Sequence, residues 1–296
     1  VPASYADFDH ANLIVLVGSN TAWCHPIIFQ RIKAIKAQRP ELRIVVVDPR
    51  ETATNEIADL HLPIKAGMDV LLFNALLVQL AERNALDSQY IAQYTVDFEK
   101  AFAAANQDVG DKSTLAERIG VDSQALATFF DWFCQTPKTM TCFSMGVNQS
   151  SAGTDKVNAI INCHLATGRV GKEGASPFSL TGQPNAMGGR EVGGLANMLA
   201  AHMDIENPVH RERVQRFWQS PVIADKSGLK AVDLFDAMYE GKIKAVWIMA
   251  TNPVVSLPNA DKVRAALEKC ELVVVSDCIA DTDTTRLADV LLPSLG

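Results

Sequence analysis

Two short turns hold the residues in this chain best suited to ligand chemistry. Gly18-Ser19-Asn20 follows the apolar run Leu13–Val17, and Thr251-Asn252-Pro253 follows Ala245–Met249. A small residue after a parallel strand lets the backbone turn sharply and aim its amides at a phosphate lying at the next helix start. The asparagine amide adds a group that both donates and accepts hydrogen bonds. One such turn is an ordinary strand-to-helix junction; its recurrence favours a ligand role. Past the second apolar run of each copy stands an acid, Asp48 in Asp48-Pro49-Arg50 and Asp277 in Ser276-Asp277. A nucleotide-binding α/β unit uses that position to grip a ribose, and Arg50 offers a planar fork to phosphate. Asp277 and Asp69, the latter just after Gly67, can accept paired donors from a guanine edge, each bond worth about 1.5–3 kcal/mol. Helix capping is the simpler role for Asp69, and the two are compatible. The chain has no Gly-x-Gly-x-x-Gly, which argues against ordinary NAD binding.

The elements that must position these groups also occur twice. In the first copy, residues 12–17 form a fully buried strand, 26–37 a helix with Pro26 in its first turn, 43–47 a second strand and 60–64 a short third. Residues 69–83 form an apolar helix that Asp69 is expected to cap, and residues 85–134 are mostly helical, with a Phe- and Trp-rich helix at 123–134. A buried strand is expected over 138–145, ending at Gly146, and a helix over 154–165. Residues 168–194 are Gly-rich and expected to be irregular, structured and functional. The second copy follows, with a helix at 232–239, strands at 245–249 and 272–275 around a helix at 261–269, and a short strand at 288–293. The expected fold is therefore α/β: two Rossmann-like, doubly wound parallel-sheet domains related by internal duplication. The first would cover residues 1–182 and the second 183–296, the latter incomplete. Each half offers a site at the carboxyl ends of its strands, so the chain grips two ligands or one long one.

Composition narrows the options further. With 296 residues and 48% hydrophobic content, the chain can bury two ordinary cores. A net charge of −7 argues against a nucleic-acid surface, and no apolar run approaches the roughly 20 residues of a membrane span. The first residues, Val1-Pro2-Ala3-Ser4, lack the basic and apolar regions of a secretory signal. The six cysteines (24, 134, 142, 163, 270 and 278) contain no Cys-x-x-Cys and are expected to be reduced, mostly buried thiols. No metal-ligand spacing is visible, so no protein metal site is expected in this chain. The absent initiator methionine and the stop directly after a strand-like run suggest a piece of a longer polypeptide.

Taken in order, the segments resemble the molybdopterin oxidoreductase family. They are Gly18-Ser19-Asn20-Thr21-Ala22-Trp23-Cys24-His25-Pro26, Asp48-Pro49-Arg50-Glu51-Thr52-Ala53-Thr54, Ala58-Asp59-Leu60-His61-Leu62-Pro63, Ala66-Gly67-Met68-Asp69, Met145-Gly146-Val147-Asn148-Gln149, Leu165-Ala166-Thr167-Gly168-Arg169-Val170-Gly171, Gly182-Gln183-Pro184-Asn185 and Thr251-Asn252-Pro253. Within the family the pattern is most similar to bacterial assimilatory nitrate reductases, and it covers essentially the whole chain. The family holds two molybdopterin guanine dinucleotides around one molybdenum, which would account for the duplication.

The resemblance implies that Gly18, Ser19, Asn20, Thr21, Ala22, Trp23 and Cys24 wrap one pyrophosphate. Asp48, Pro49, Arg50, Glu51 and Thr52, with Gly67, Met68 and Asp69, would hold that ribose and guanine. Met145 and Gln149 would approach the pterin, Asn252, Ser276 and Asp277 would serve the second dinucleotide, and Thr181, Gln183 and Met145 would lie nearest the metal. Thr181 stands where formate dehydrogenases of the family usually carry Arg, which favours nitrate as substrate; Arg190 is either structural or anion-attracting. The molybdenum ligand and a 4Fe–4S cluster would lie outside the chain, so the piece alone is expected to be inactive and cofactor-free. An electron-donor domain or protein would serve the parent, and the assimilatory likeness implies a cytoplasmic location. A formate dehydrogenase or another molybdenum oxidoreductase of the family is the first alternative. A non-catalytic subunit that kept the fold is the second, although it would have no need of Asn20 and Asn252.

Overall fold

The computed structural model describes residues 3–182 and 185–295. Its chain divides into two compact units, Val1–Pro184 and Asn185–Gly296.

The first unit is built on a five-stranded, wholly parallel sheet. Its strands are β1 Leu13–Val17, β2 Arg43–Val47, β3 Leu60–Leu62, β4 Thr139–Phe143 and β5 Ser176–Ser179, in the order β3-β2-β1-β4-β5. Every residue of β1 is fully buried, which explains its uninterrupted apolar sequence: a central parallel strand meets helices on both faces. Side chains alternate across it. Ile14 and Leu16 pack with Phe29, Ile32 and Ile35 of α1 (Pro26–Gln38). Leu13, Val15 and Val17 point the other way, into a larger core. That core is made by α2 (Asp69–Glu82), α4 (Phe98–Val109), α5 (Ser123–Gln135) and α6 (Gly153–Ala166), with α3 (Ser88–Tyr94) at its border. Burying each Leu, Ile or Phe stabilises the unit by roughly 1.5–3 kcal/mol relative to exposure, so both layers are needed to hold the sheet.

Several expectations are corrected here. The strand expected over 138–145 stops at Phe143, because Met145–Asn148 forms a helical turn. The Gly-rich stretch is not wholly irregular. It contains β5, paired in parallel with β4, and a short helix at Ala186–Glu191. Pro177 and the flanking glycines hide β5 from a sequence pattern, but an edge strand tolerates a proline. The thiols divide: Cys142 and Cys163 are buried, whereas Cys24 and Cys278 are exposed.

The second unit has a three-stranded parallel sheet in the order β6-β7-β8, with β6 Ala245–Met249, β7 Leu272–Asp277 and β8 Val290–Pro293. Its longer helices are α7 (Pro208–Trp218), α8 (Ala231–Tyr239) and α9 (Ala260–Lys269). Helix α7 is absent from the sequence reading because only Val214 of it is buried, leaving almost no apolar stripe. Its start is nonetheless marked by Asn207, which accepts from the Val209 N–H at 3.0 Å, and by Pro208 in the first turn. Only one face of the sheet is covered: Ile248, Val273 and Val275 pack with Phe235, Met238, Val263 and Leu267. On the other face Trp247, Met249, Leu272, Val290 and Leu292 remain exposed. Among the described residues no helix is long and apolar enough to cross a membrane.

Two buried polar groups lock the back of the first unit. Arg169 Nη2 donates to the Phe133 carbonyl at 2.6 Å, and its guanidinium lies 4.3 Å from the Phe133 ring centroid. A cation thus meets the negative end of α5, and burial lowers the Arg169 pKa to about 10. His164, fully buried, pairs through Nε2 with Thr141 Oγ1 at 2.8 Å. Burial and the nearby Arg169 push its pKa well below the ordinary 6.5. The folded state therefore holds His164 neutral while the unfolded chain takes up a proton near pH 6.5. Stability from this group is complete above that pH and falls as pH drops below it, by up to about 1.4 kcal/mol per pH unit. Urea titrations between pH 5 and 8 are expected to show a shallower acid slope in His164→Gln than in the wild type. Equal slopes would remove His164 as the cause.

Candidate functional site

The site in the first unit begins where the strand order reverses. β1 lies between β2 and β4, and the helices that follow β1 and β4, α1 and α6, pack in the layers on opposite faces of the sheet, which opens a crevice at the carboxyl ends of the strands. Gly18 follows β1 with φ +53°, and Gly146 follows β4. The Gly146 N–H donates to the Gly18 carbonyl at 3.0 Å. A Cβ built on Gly146 would lie 2.7 Å from Gly18 Cα, and one on Gly18 would lie 2.9 Å from Gly146 backbone atoms. Only two glycines allow this approach, which brings the turn after β1 against the turn after β4.

Asn20 then ties the first turn to the segment after β2. Thr54 Oγ1 donates to Asn20 Oδ1 at 3.3 Å, and the Ala22 N–H donates to Thr54 Oγ1 at 3.1 Å. The second unit repeats the arrangement. Thr284 Oγ1 donates to Asn252 Oδ1 at 2.6 Å, and the Val254 N–H donates to Thr284 Oγ1 at 3.2 Å. In both, the threonine occupies the asparagine oxygen and leaves Nδ2 without an acceptor among the described residues. Two donor groups are thus presented at equivalent strand ends.

The repetition extends outward. Asp59 Oδ2 accepts the Ile44 N–H and Asp289 Oδ2 accepts the Val273 N–H, both at 2.7 Å, pinning the third strand of each sheet to the second. Asp48 Oδ1 accepts the Arg50 N–H and Asp277 Oδ1 accepts the Ile279 N–H, both at 2.9 Å. Ala250 sits at φ +55°, in the place of Gly18. The copies differ where Arg50, exposed and 3.7 Å from Asp48, has Ile279 as its counterpart. Only the first unit offers a guanidinium there.

Other expected site residues fall into two groups. The Leu180 N–H donates to the Phe143 carbonyl at 2.8 Å, and Ser144 Oγ donates to the Leu180 carbonyl at 2.9 Å. Thr181 is therefore held beside the end of β4, and its carbonyl lies 3.1 Å from His25 Nε2. The turn after β1, Met145 and Thr181 converge on one edge of the sheet. Gln149 closes the helical turn, its N–H donating to the Met145 carbonyl at 2.9 Å. Thr52 caps the short helix Ala53–Ile57, exchanging bonds with Thr54 and Asn55. In the second unit, Trp247 Nε1 donates to Ser276 Oγ at 2.9 Å. Gln183 lies outside the described residues.

Asp69 stands apart and corrects the capping expectation. Met68 precedes the first helical residue of α2, Asp69 is that residue, and no side chain caps the helix. The Asp69 carboxylate instead faces Lys156 of α6, with Oδ2 2.8 Å from Nζ, and both side chains are buried.

Sequence reasoning missed Thr54, Thr284, Gly146 as the partner of Gly18, and Lys156. The threonines carried a readable signal. Thr54-Asn55-Glu56-Ile57-Ala58-Asp59-Leu60-His61-Leu62-Pro63 and Thr284-Thr285-Arg286-Leu287-Ala288-Asp289-Val290-Leu291-Leu292-Pro293 align without a gap. Lys156 carried none, since nothing local distinguishes it from a solvated helical lysine. In the first unit a glycine-backed turn, the Asn20 amide, the Arg50 guanidinium and the acid after the second strand stand together, groups whose chemistry suits a nucleoside diphosphate moiety.

Two outcomes are expected. Thr54→Val removes a donor and an acceptor together, and should lower the stability of the first unit by about 1–3 kcal/mol in urea titrations. Thr284→Val should act likewise on the second unit; no loss in either variant would refute the clamp. Gly146→Ala should cost about 1–3 kcal/mol through forced backbone displacement, whereas Gly67→Ala, with open space around it, meets no clash and pays only for its positive φ.

The family model described as molybdopterin oxidoreductase matches residues 2–295. A nitrate reductase of Shewanella frigidimarina is 52% identical over 297 residues, covering 100% of this chain and 31% of the relative. The F420-dependent formate dehydrogenase subunit alpha of Methanocaldococcus jannaschii is 33% identical, covering 98% of this chain and 42% of the relative. Acetylene hydratase from Pelobacter acetylenicus shares the fold, with a TM-score of 0.72 and 21% identity across 99% of this chain and 41% of that one. This chain spans only about a third of the length of the first of these relatives. By its match along nearly its whole length, the chain belongs to the molybdopterin oxidoreductase family.

Proposed function

We propose that this chain is the central cofactor-binding part of a molybdenum-dependent nitrate reductase that reduces nitrate to nitrite. The observation that carries the reading is the repeated asparagine–threonine clamp at equivalent strand ends of two parallel sheets. Paired cradles suit a cofactor with two dinucleotide arms. In the guanine dinucleotide form, Gly18 to Cys24 would wrap one pyrophosphate, helped by Arg50, while Asp48 to Thr52 and Gly67 to Asp69 hold its ribose and base. Asn252, Ser276 and Asp277 would hold the second arm. Met145 and Gln149 would border the pterin, with Thr181 and Gln183 toward the metal.

When bound, the molybdenum cofactor supplies the two-electron chemistry that removes an oxygen atom from nitrate. This chain's residues bind and orient it, and Thr181 leaves the substrate side without the cation that a formate-handling site carries. The 52% identity to a nitrate reductase supports nitrate; the 33% identity to a formate dehydrogenase subunit keeps formate as the alternative. The molybdenum ligand and the 4Fe–4S cluster belong to the parent outside this chain, an electron donor serves it, and the isolated piece is inactive. The cytoplasmic location rests on the assimilatory likeness alone.

The test is made on the full-length parent. Purified protein should contain molybdenum and release GMP on hydrolysis, and it should turn over nitrate with reduced methyl viologen. Absence of both molybdenum and GMP would favour a non-catalytic subunit. Oxidation of formate without nitrate turnover would overturn the substrate assignment.

A further inference from the structure

The pairing of Asp69 with Lys156 is hard to explain as a stabilising device. The two side chains keep only 8% and 7% of their exposure, and Nζ lies 2.8 Å from Oδ2. Desolvating two charges offsets most of their attraction, so apolar residues of similar size often serve stability as well or better. Ordering a lysine side chain also costs about 1.5–2 kcal/mol of rotamer freedom. Lys156 stands near the beginning of α6, where the helix dipole disfavours a cation. The same dipole at the start of α2 already favours Asp69 as an anion. Lys156 is therefore not needed merely to tolerate a carboxylate at that helix start.

The sheet topology puts both groups on the ligand side. α2 follows β3 and α6 follows β4, so both helices begin at the carboxyl edge that carries Gly18 and Gly146. A carboxylate has about four lone-pair directions. The ammonium uses one at Oδ2, and the others can accept two parallel donors. Guanine presents such a pair in its N1–H and 2-amino group. Adenine has an acceptor at N1 and no 2-amino group, so it meets the carboxylate with a lone pair.

We infer that Lys156 is a positioning residue for base selection: it fixes the orientation of the Asp69 carboxylate, so that the first cradle accepts guanine and rejects adenine. This rests on the proposed reading that Asp69 receives the base. With Lys156 neutralised, the carboxylate loses the partner that fixes Oδ2 and turns away, which removes the double acceptor. Arginine can keep the charge; methionine keeps only the volume.

The experiment is calorimetric titration of the full-length protein, produced free of pterin cofactor, with GDP, IDP and ADP as probes. The wild type should bind GDP at least about tenfold more tightly than ADP, the ratio equivalent to 1.4 kcal/mol, with IDP between them. Asp69→Asn should abolish the preference. Lys156→Met should bring the GDP:ADP ratio near one, and Lys156→Arg should retain most of it. A merely structural lysine would weaken both nucleotides equally and leave the ratio intact, and that result would overturn the inference while Asp69→Asn still upheld the base site. No GDP preference in the wild type would instead bring down the underlying reading, and the inference with it. Should Lys156→Met fail to fold, the wild type decides by NMR of 13Cε-labelled lysine. The Lys156 signal should shift with GDP and not with ADP, and a shift independent of the base would overturn the proposal.

Discussion

A threonine hydroxyl bridging an asparagine oxygen and a backbone N–H is the constraint on which the ligand edge of each unit depends. In the first unit it joins the turn after β1 to the segment after β2 through Asn20, Ala22 and Thr54. It adds a side-chain tie between these loops to the backbone bond from the Gly18 N–H to the Val47 carbonyl. In the second unit Asn252, Val254 and Thr284 do the same with different neighbours around them. Neither bridge is strong, since a neutral hydrogen bond contributes only about 0.5–1.5 kcal/mol net. Its value is geometric: it satisfies the asparagine oxygen and leaves the amide nitrogen without an acceptor among the described residues.

Around that constraint the two units have diverged in what they cover. β1 is sandwiched between two apolar layers, whereas the equivalent strand β6 is covered on one face only. The positive-φ position is glycine in one copy and alanine in the other. Gly18 needs to be glycine for a second reason as well, because Gly146 leaves no room for a Cβ. Ala250 adopts the same positive φ with a Cβ in place. The guanidinium of Arg50 likewise has only Ile279 as its counterpart. The cradles are thus copies in their backbone wiring and distinct in their charge.

Much of this was legible from residue types in order. The parallel strands, the helices packed against them, the acid after each second strand and the paired asparagine turns all follow from apolar runs broken by small or polar residues. The missed pieces share a physical character. β5 is short, contains Pro177 and lies among glycines, so its membership in the sheet comes from pairing with β4 rather than from its own pattern. Helix α7 is almost wholly solvated and lacks the stripe that marks a buried helix. Asp69 looked like a cap because it precedes an apolar helix, yet its partner comes from a helix 87 positions later in the chain.

The sequence alone determined the α/β class, the order of strand, turn and helix that recurs in both units, and which turns carry polar groups, because these depend on short-range periodicity and on turn chemistry. Tertiary structure decided which of those groups meet. It set Gly146 against Gly18, Thr54 under Asn20, Thr181 beside His25 and Lys156 on Asp69. Such pairings join residues tens to more than a hundred positions apart. They arise only when parallel strands draw their carboxyl ends to one edge, a long-range condition that no local pattern encodes.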